Sequence, residues 1–184
     1  MCSKNIVEDM PLIEPQEKVC EGCTLGKHHR NSFPVGRSWR ASHPLELVHS
    51  DLCGPMHTTS IGGNRYFLTF IDDYSRKTWV FFLKEKSEVY EYFKSFKALV
   101  ERESGFPLKT LRTDRGGEYV GGEFEAFLKE NGIRHQLTAR YTPQQNGIAE
   151  RKNQTIMELA RSMLKAKGIP NDFWAESVAC AIYL

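Results

Sequence analysis

The sequence predicts an α/β domain with a five-stranded mixed sheet flanked by helices, preceded by an extended N-terminal tail. From residue 45 onward, short runs of aromatic and β-branched residues alternate with segments in which apolar residues recur every three or four positions. The order is three strands, a helix, a strand, a helix, a strand and then helices, which is typical of helices packed against a mixed sheet. Because the first helix provides a crossover connection, we expect the first and fourth strands to be parallel neighbours.

Five segments have the composition of strands. LELVHSDL is followed by Gly54-Pro55, while RYFLTFID and TWVFFL are joined by a short turn, so the latter two are expected to be antiparallel. Asp72 and Asp73 lie at this turn, and we predict that they act as turn residues. The predicted strands span residues 45–52, 65–72, 78–83, 108–114 and 133–137.

Four segments have helical periodicity. Ser87 is the expected N-cap of the first helix, and Gly132 is expected to end the second. The four helices are predicted at 88–103, 123–131, 148–167 and from about 171 to the last residue. The apolar faces are predicted to hold Val89, Tyr92 or Phe93, Phe96, Leu99 and Val100 in the first helix, and Ile156, Leu159, Ala160 and Met163 in the third.

The composition of the 184 residues is that of an ordinary globular protein. Hydrophobic residues make up 40% and charged residues 26%, which excludes a chain that is disordered throughout. No apolar run has the length of a membrane span, and the N-terminus lacks the apolar core of a signal peptide. The 5 cysteines are an odd number, which argues against a disulfide scaffold and favours a reducing compartment. The chain ends within a helical pattern, so we interpret it as a piece of a longer protein.

Residues 1–44 are predicted to form the tail and residues 45–184 the folded core. Four prolines interrupt the tail, and its segment 27–40 carries four Lys or Arg residues and no acid. This segment is either a solvated linker or a stretch of chain that lies along a polyanion. Cys20 and Cys23 form a CxxC, which supplies two of the four ligands that a structural zinc site needs.

Three acidic residues are candidates for a metal site. Asp51 and Asp114 close the predicted first and fourth strands, and Glu150 lies in the first turn of the third helix, with 35 residues between Asp114 and Glu150. Clustered carboxylates need a compensating cation, and oxygen ligands suit Mg²⁺ or Mn²⁺. Two such ions bridged by carboxylates support in-line phosphoryl displacement. Taken singly, each acid also fits a role as a turn, cap or helix-terminus residue.

Glycines adjoin these acids. Gly116 and Gly117 follow Asp114, where they permit a close backbone approach and a positive φ angle. Gly147, at the end of TPQQNG, indicates a mobile loop beside the site. An ordinary turn is the alternative in each case.

Four motifs occur in order along the chain, namely HSDLCGP, FIDDYSR, LRTDRGGEY and YTPQQNGIAERKN. Together with the spacing of the acids, they resemble the catalytic core of a retroelement integrase, with the copia-type group of plant Gag-Pol polyproteins as the nearest resemblance. It extends from about Cys20 to Leu184. The resemblance implies a ribonuclease H-like fold, which agrees with the predicted order of strands.

The resemblance also implies roles for individual residues. Asp51, Asp114 and Glu150 match the metal-binding DDE triad, so they are the predicted catalytic residues, with two Mg²⁺ or Mn²⁺ ions as cofactor. Asn146 matches a position that faces the substrate DNA end in related integrases.

The tail resembles the second half of an N-terminal zinc module. Cys20 and Cys23 match its CxxC, but the preceding pair of histidines is missing here. We therefore interpret the tail as a zinc-module remnant with a basic linker, a possible partial zinc site in which bound zinc is not expected.

Positive charge surrounds the predicted site. Residues 134–167 contain seven Lys or Arg residues against two acids, which favours DNA contact over a merely solvated helix surface. Gln154 and Met157 stand where related integrases often carry lysines, so the detailed DNA contacts are expected to differ. The candidate DNA-binding residues are Asn146, Arg151, Lys152, Lys27 and Arg30.

The sequence thus predicts the integrase core of a retrotransposon, a metal-dependent polynucleotidyl transferase that processes a DNA end and joins it to target DNA by 3′-hydroxyl attack. One alternative is a nuclease of the same fold that hydrolyses RNA in a hybrid. Another is a non-catalytic remnant of a decayed element that binds nucleic acid. The resemblance implies DNA partners and a homo-oligomer of the full-length protein. Action in the nucleus is expected from the reaction, and no membrane partner is expected.

Overall fold

The computed structural model describes residues 39–138 and 147–183. Single turns of 3₁₀ helix, Lys86–Glu88 and Asn171–Phe173, precede the first and last α-helices. Among the described residues, none of the helices combines the length and the apolar character that a membrane span requires. In chain order the elements are β1 (Val48–Cys53), β2 (Tyr66–Asp72), β3 (Thr78–Leu83), α1 (Val89–Ser104), β4 (Thr110–Thr113), α2 (Gly122–Glu130), β5 (Arg134–Leu137), α3 (Gly147–Lys167) and α4 (Trp174–Tyr183).

The five strands form one mixed sheet in the order β3-β2-β1-β4-β5. The strands β1, β2 and β3 are antiparallel neighbours, whereas β1 pairs in parallel with β4, and β4 pairs in parallel with β5. Helix α1 carries the chain from β3 to β4 and is the crossover that this parallel pairing needs. The predicted mixed sheet and the predicted pairing of the first and fourth strands are confirmed.

Successive side chains of a strand point to opposite faces, and both faces of this sheet are covered by helices. On one face, Leu68 and Phe70 of β2 pack in a core with α1 and α2, where Phe70 stacks on Phe96 with ring centroids 4.1 Å apart. On the other face, Phe67 packs in a second core with α3 and α4, against Trp174. The sheet is therefore the middle of three layers.

The β2–β3 turn holds the chain that enters β1. The Asp72 carboxylate accepts hydrogen bonds from the backbone N–H of Leu45 and of Ser75, both at 2.9 Å. The Asp73 carboxylate accepts one from the backbone N–H of Ala41 at 2.8 Å. The predicted turn role of the two aspartates is confirmed, and each also anchors the segment before β1.

Some local predictions are wrong. Ser87 is not the N-cap of α1, because it lies inside the 3₁₀ turn, where Glu85 and Glu88 form a reciprocal capping box. Leu99 and Leu159, both expected to be buried, are 44% and 36% exposed. The buried stripes run instead through Val89, Phe93, Phe96 and Val100 in α1 and through Ala149, Asn153, Ile156, Ala160 and Leu164 in α3, with Gly147.

Candidate active site

Asp51 lies inside β1, not at its end as predicted. The strand continues to Cys53 because its antiparallel pairing with β2 does, with Asp51 opposite Thr69. The parallel pairing with β4 ends earlier, at His49 opposite Arg112. Asp51 therefore stands two residues beyond the last parallel pair, on the face of the sheet that α3 covers.

Asp114 directly follows β4, which ends at Thr113, one residue before the aspartate that was predicted to close the strand. It too stands two residues beyond the last parallel pair, so Asp51 and Asp114 lie at the same level of their strands. The Asp114 carboxylate accepts a hydrogen bond from the backbone N–H of Gly116 at 3.0 Å, which closes a turn over the end of β4. The topology thus brings together two aspartates that have 62 residues between them in the sequence.

The two glycines after Asp114 were predicted to serve close approach and positive φ. Neither Gly116 nor Gly117 is among the glycines with positive φ, so that part of the prediction is wrong. Close approach is confirmed at Gly116, where an added Cβ would lie 2.7 Å from the Glu118 carboxylate. Any larger residue at position 116 would displace Glu118.

Glu150 occupies the first turn of α3 and is exposed. Its charge acts on Asp51, and so do the charges of Asp114 and Glu118. Carboxylates from β1, from the turn after β4 and from α3 therefore share one neighbourhood. Glu118 is a fourth member that the sequence argument missed, although its place four residues after Asp114 was visible.

Burial and the neighbouring negative charges make the Asp51 carboxyl harder to ionise. Burial raises its pKa to about 6, from an ordinary value of 3.8. A hydrogen bond donated by Asn153 opposes this rise, whereas the charges of Asp114, Glu150 and Glu118 add to it. A bound cation would counteract this rise, because it favours the ionised form.

Asn153 connects α3 to Asp51 and was missed by the sequence argument. Its side-chain N–H donates to Asp51 Oδ2 at 2.8 Å, and its Oδ1 accepts a hydrogen bond from the Thr69 hydroxyl at 2.9 Å. Asn153 is buried, so both bonds are protected from solvent. The available signal was its spacing, since a residue three positions after Glu150 lies near it on an α-helix.

The donor set of Asp51, Asp114 and Glu150 suits a hard divalent cation, because all three offer carboxylate oxygens. The raised pKa of Asp51 agrees with this fit, since a cation would compensate the crowded negative charge. Within the described ranges, no three acidic, histidine or cysteine side chains already form the ligand group of one metal ion. The structure thus assembles the carboxylates in one neighbourhood but not as a finished coordination shell.

The other predicted site residues divide into two groups. Arg151 and Lys152 lie in α3 directly after Glu150, with Arg151 exposed and Lys152 partly buried. Asn146, Lys27, Arg30, Cys20 and Cys23 lie outside the described residues, as do the loop before Gly147 and almost all of the tail, so these assignments stay predictions.

Comparison with protein families identifies the core. Residues 41–143 match the family model described as "Integrase core domain". The Retrovirus-related Pol polyprotein from transposon TNT 1-94 of Nicotiana tabacum is 54% identical over 167 residues, which are 91% of this chain. That from transposon RE2 of Arabidopsis thaliana is 34% identical over 95% of the chain. The chain spans about 12% of the length of each of these polyproteins.

Solved structures share the fold. A chain of the simian T-cell lymphotropic virus intasome, in complex with PP2A regulatory subunit B56 gamma, matches 89% of this chain and 56% of its own length, with a TM-score of 0.64 and 22% identity. The HTLV-2 integrase catalytic core domain, in complex with magnesium, matches 78% of this chain and 86% of its own length, with a TM-score of 0.56 and 19% identity. The predicted ribonuclease H-like fold and the resemblance to plant transposon integrase cores are confirmed. The chain belongs to the integrase core domain family.

Proposed function

We propose that this core catalyses metal-dependent DNA-end processing and strand transfer, using Asp51, Asp114 and Glu150. The observation that carries the proposal is the convergence of these carboxylates on Asp51, whose pKa is raised to about 6 by burial and by the neighbouring charges. Perturbed acids that cluster from different elements are typical of active sites. The family membership of the chain supports the same assignment.

Asp51, Asp114 and Glu150 would hold Mg²⁺ or Mn²⁺. When bound, such ions stabilise the charge on the attacking and leaving oxygens of a phosphodiester. Of the solved structures described above, the HTLV-2 core is in complex with magnesium, which supports the choice of ion. Zinc is not part of the proposal, because the candidate ligands of the core are oxygens.

The remaining residues orient the acids and bind the substrate. Asn153 fixes the side chain of Asp51, and Thr69 fixes Asn153, so that two hydrogen bonds set the direction of the carboxylate. The turn after β4 places Asp114, whose carboxylate is held by the Gly116 N–H. Arg151 and Lys152, which follow Glu150 in α3, supply positive charge for the phosphates of DNA.

The partners follow from the reaction. The substrates are the ends of the element and target DNA, and the full-length protein acts as a homo-oligomer because two ends must be inserted together. One solved relative is an intasome and another is described in trimeric form, which supports this expectation. DNA insertion also implies a nuclear site of action.

A labelled DNA duplex incubated with the purified protein and Mn²⁺ tests the proposal. We expect shortened strands and longer joined strands, both of which disappear when a chelator removes the metal. DNA binding without new products would favour the non-catalytic remnant. Cleavage of the RNA strand of an RNA–DNA hybrid, with the DNA duplex left intact, would favour the nuclease.

A further inference from the structure

A cavity of about 290 Å³ lies between the β2–β3 turn and the first turns of α3. We call it the cationic pocket. None of the clustered carboxylates lines it. Its lining consists of Ile71, Arg76, Ile148, Arg151, Lys152 and Thr155.

The cationic pocket has an excess of positive charge. Three of its six lining residues are basic and none is acidic. Among the residues that the structure describes, one carboxylate pairs with them, that of Asp73, which contacts Arg76 at 3.2 Å and is itself 3% exposed. In the described part of the chain, neither Arg151 nor Lys152 forms an ion pair with a carboxylate. An anion in the pocket would offset the mutual repulsion of these cations.

The pocket is held in shape by hydrogen bonds inside α3. The Arg151 side chain donates through Nε to the Gly147 carbonyl at 2.9 Å, and the Thr155 hydroxyl donates to the Arg151 carbonyl at 3.0 Å. Ile71, which is 2% exposed, provides an apolar wall. The bond through Nε constrains the position of the Arg151 guanidinium and does not use its terminal nitrogens, which can donate to a ligand.

The pocket and the carboxylates lie on different faces of α3. An α-helix turns about 100° per residue, so Arg151 and Lys152 are displaced by about 100° and 200° around the axis from Glu150. Along the sheet, Ile71 is opposite His49, two residues before Asp51 and so about 7 Å away along the strand. A phosphate in the pocket is therefore a different phosphate from one at the carboxylates.

We propose that the cationic pocket binds a backbone phosphate of DNA at a distance from the reacting bond. The inference rests on the proposed function, since it makes DNA the source of the anion. A guanidinium pair and an ammonium form charge-assisted hydrogen bonds with phosphate oxygens and read no base, so the contact positions the duplex without selecting its sequence. Arg76 becomes a DNA-contacting residue 75 positions before Arg151 in the chain.

Matched double variants test the pocket. Arg151→Gln with Lys152→Gln removes two charges inside it, and Lys165→Gln with Lys167→Gln removes two exposed charges from the last turn of the same helix. Binding of a fluorescent duplex is measured by anisotropy over a range of salt. We expect the pocket pair to weaken binding about tenfold and to lower the slope of log affinity against log salt by about 1, with a clearly smaller change in the control pair.

Arg76→Gln provides an independent test from the turn. It should weaken binding similarly, and it should add little to the pocket pair, because all three side chains contact one phosphate. Arg76→Lys should restore part of the affinity, which guards against an effect of altered folding. Equal losses in the pocket and control pairs, or full additivity of Arg76→Gln, would overturn the assignment.

Two further results separate the possibilities. If inorganic phosphate binds the pocket at micromolar concentration, and leaves the duplex affinity unchanged, the ligand is a free phosphate and the DNA assignment is wrong. If the parent joins DNA ends while the pocket and control pairs bind alike, the pocket inference fails and the proposed function stands. If the pocket pair selectively loses DNA binding but neither the parent nor any variant joins ends, the pocket inference stands and the proposed function fails.

Discussion

Replacing Asp51 by asparagine should stabilise the metal-free protein. The pKa of Asp51 is raised from 3.8 to about 6, chiefly by burial, so ionising it is more costly in the folded than in the unfolded state. Each factor of ten in the ionisation constant corresponds to about 1.4 kcal/mol, so the difference between the folded and unfolded states is about 3 kcal/mol at most. Because the site is partly open to solvent, which screens charge, we expect Asp51→Asn to raise the free energy of unfolding by about 1–3 kcal/mol at pH 7.5.

The pH dependence has a defined sign. The folded state holds the Asp51 proton between about pH 4 and 6 and the unfolded state does not, so the contribution of Asp51 to stability falls as pH rises through this window. The stability of Asp51→Asn should not show this decrease with rising pH. An asparagine can still accept the hydrogen bond from Asn153, so the variant keeps that contact.

Chemical unfolding without metal measures the change in the free energy of unfolding. Thermal melts with Mg²⁺ or Mn²⁺ then measure how much bound metal stabilises each protein. The parent should gain stability with metal by mass action, and Asp51→Asn should lose most of that gain. Asp73→Asn is the matched control and should lower the free energy of unfolding, because the Asp73 carboxylate accepts a hydrogen bond from the Ala41 N–H and pairs with Arg76. A metal-free Asp51→Asn protein that is less stable than the parent would refute the reasoning.

Three other changes probe separate contacts. Asn153→Ala should lower the free energy of unfolding by about 1–3 kcal/mol in urea titrations and should slow DNA joining. The buried Thr69 hydroxyl loses its 2.9 Å acceptor and keeps only the Asp51 backbone carbonyl at 3.3 Å, while the Asp51 carboxylate loses the hydrogen bond from Asn153. Burial lowers the pKa of His49, which contacts Asp73 and lies near Arg112 and Arg76. The free energy of unfolding should therefore fall as pH drops below about 6.5, and His49→Gln should make this pH dependence less steep. Tyr119→Phe and Ser50→Ala should each cost about 1 kcal/mol but be less than additive in the double variant, because they remove the same 2.9 Å hydrogen bond.

Short-range sequence patterns predicted the order of elements and the parallel pairing of the first and fourth strands. That pairing brings the two aspartates together, because residues equally far beyond the last parallel pair of neighbouring strands lie side by side. Asp51 was nevertheless expected to end its strand. Its antiparallel pairing with β2 extends further than its pairing with β4, and a composition pattern does not separate the two edges of a strand.

Long-range side-chain contacts were beyond the sequence argument. Asn153 reaches Asp51 only because of how α3 is rotated against β1, and this rotation depends on packing across three layers. The cationic pocket includes Arg76, which lies in the β2–β3 turn, and the sequence pattern of that turn had pointed only to Asp72 and Asp73. Leu99 was misplaced for a simpler reason, since a leucine next to a buried stripe satisfies the same apolar spacing as one inside it.

The joining reaction of a Glu150→Gln variant tests the central claim most directly. The amide keeps the size of the side chain but removes the charge that would hold a metal, while Glu158→Gln makes the same change at another exposed position of α3. In the presence of Mn²⁺, we predict that Glu150→Gln folds, binds the labelled duplex at least as well as the parent and forms no joined product, whereas Glu158→Gln joins DNA like the parent. Joining by Glu150→Gln at the parental rate would contradict the assignment of Asp51, Asp114 and Glu150 as one catalytic site.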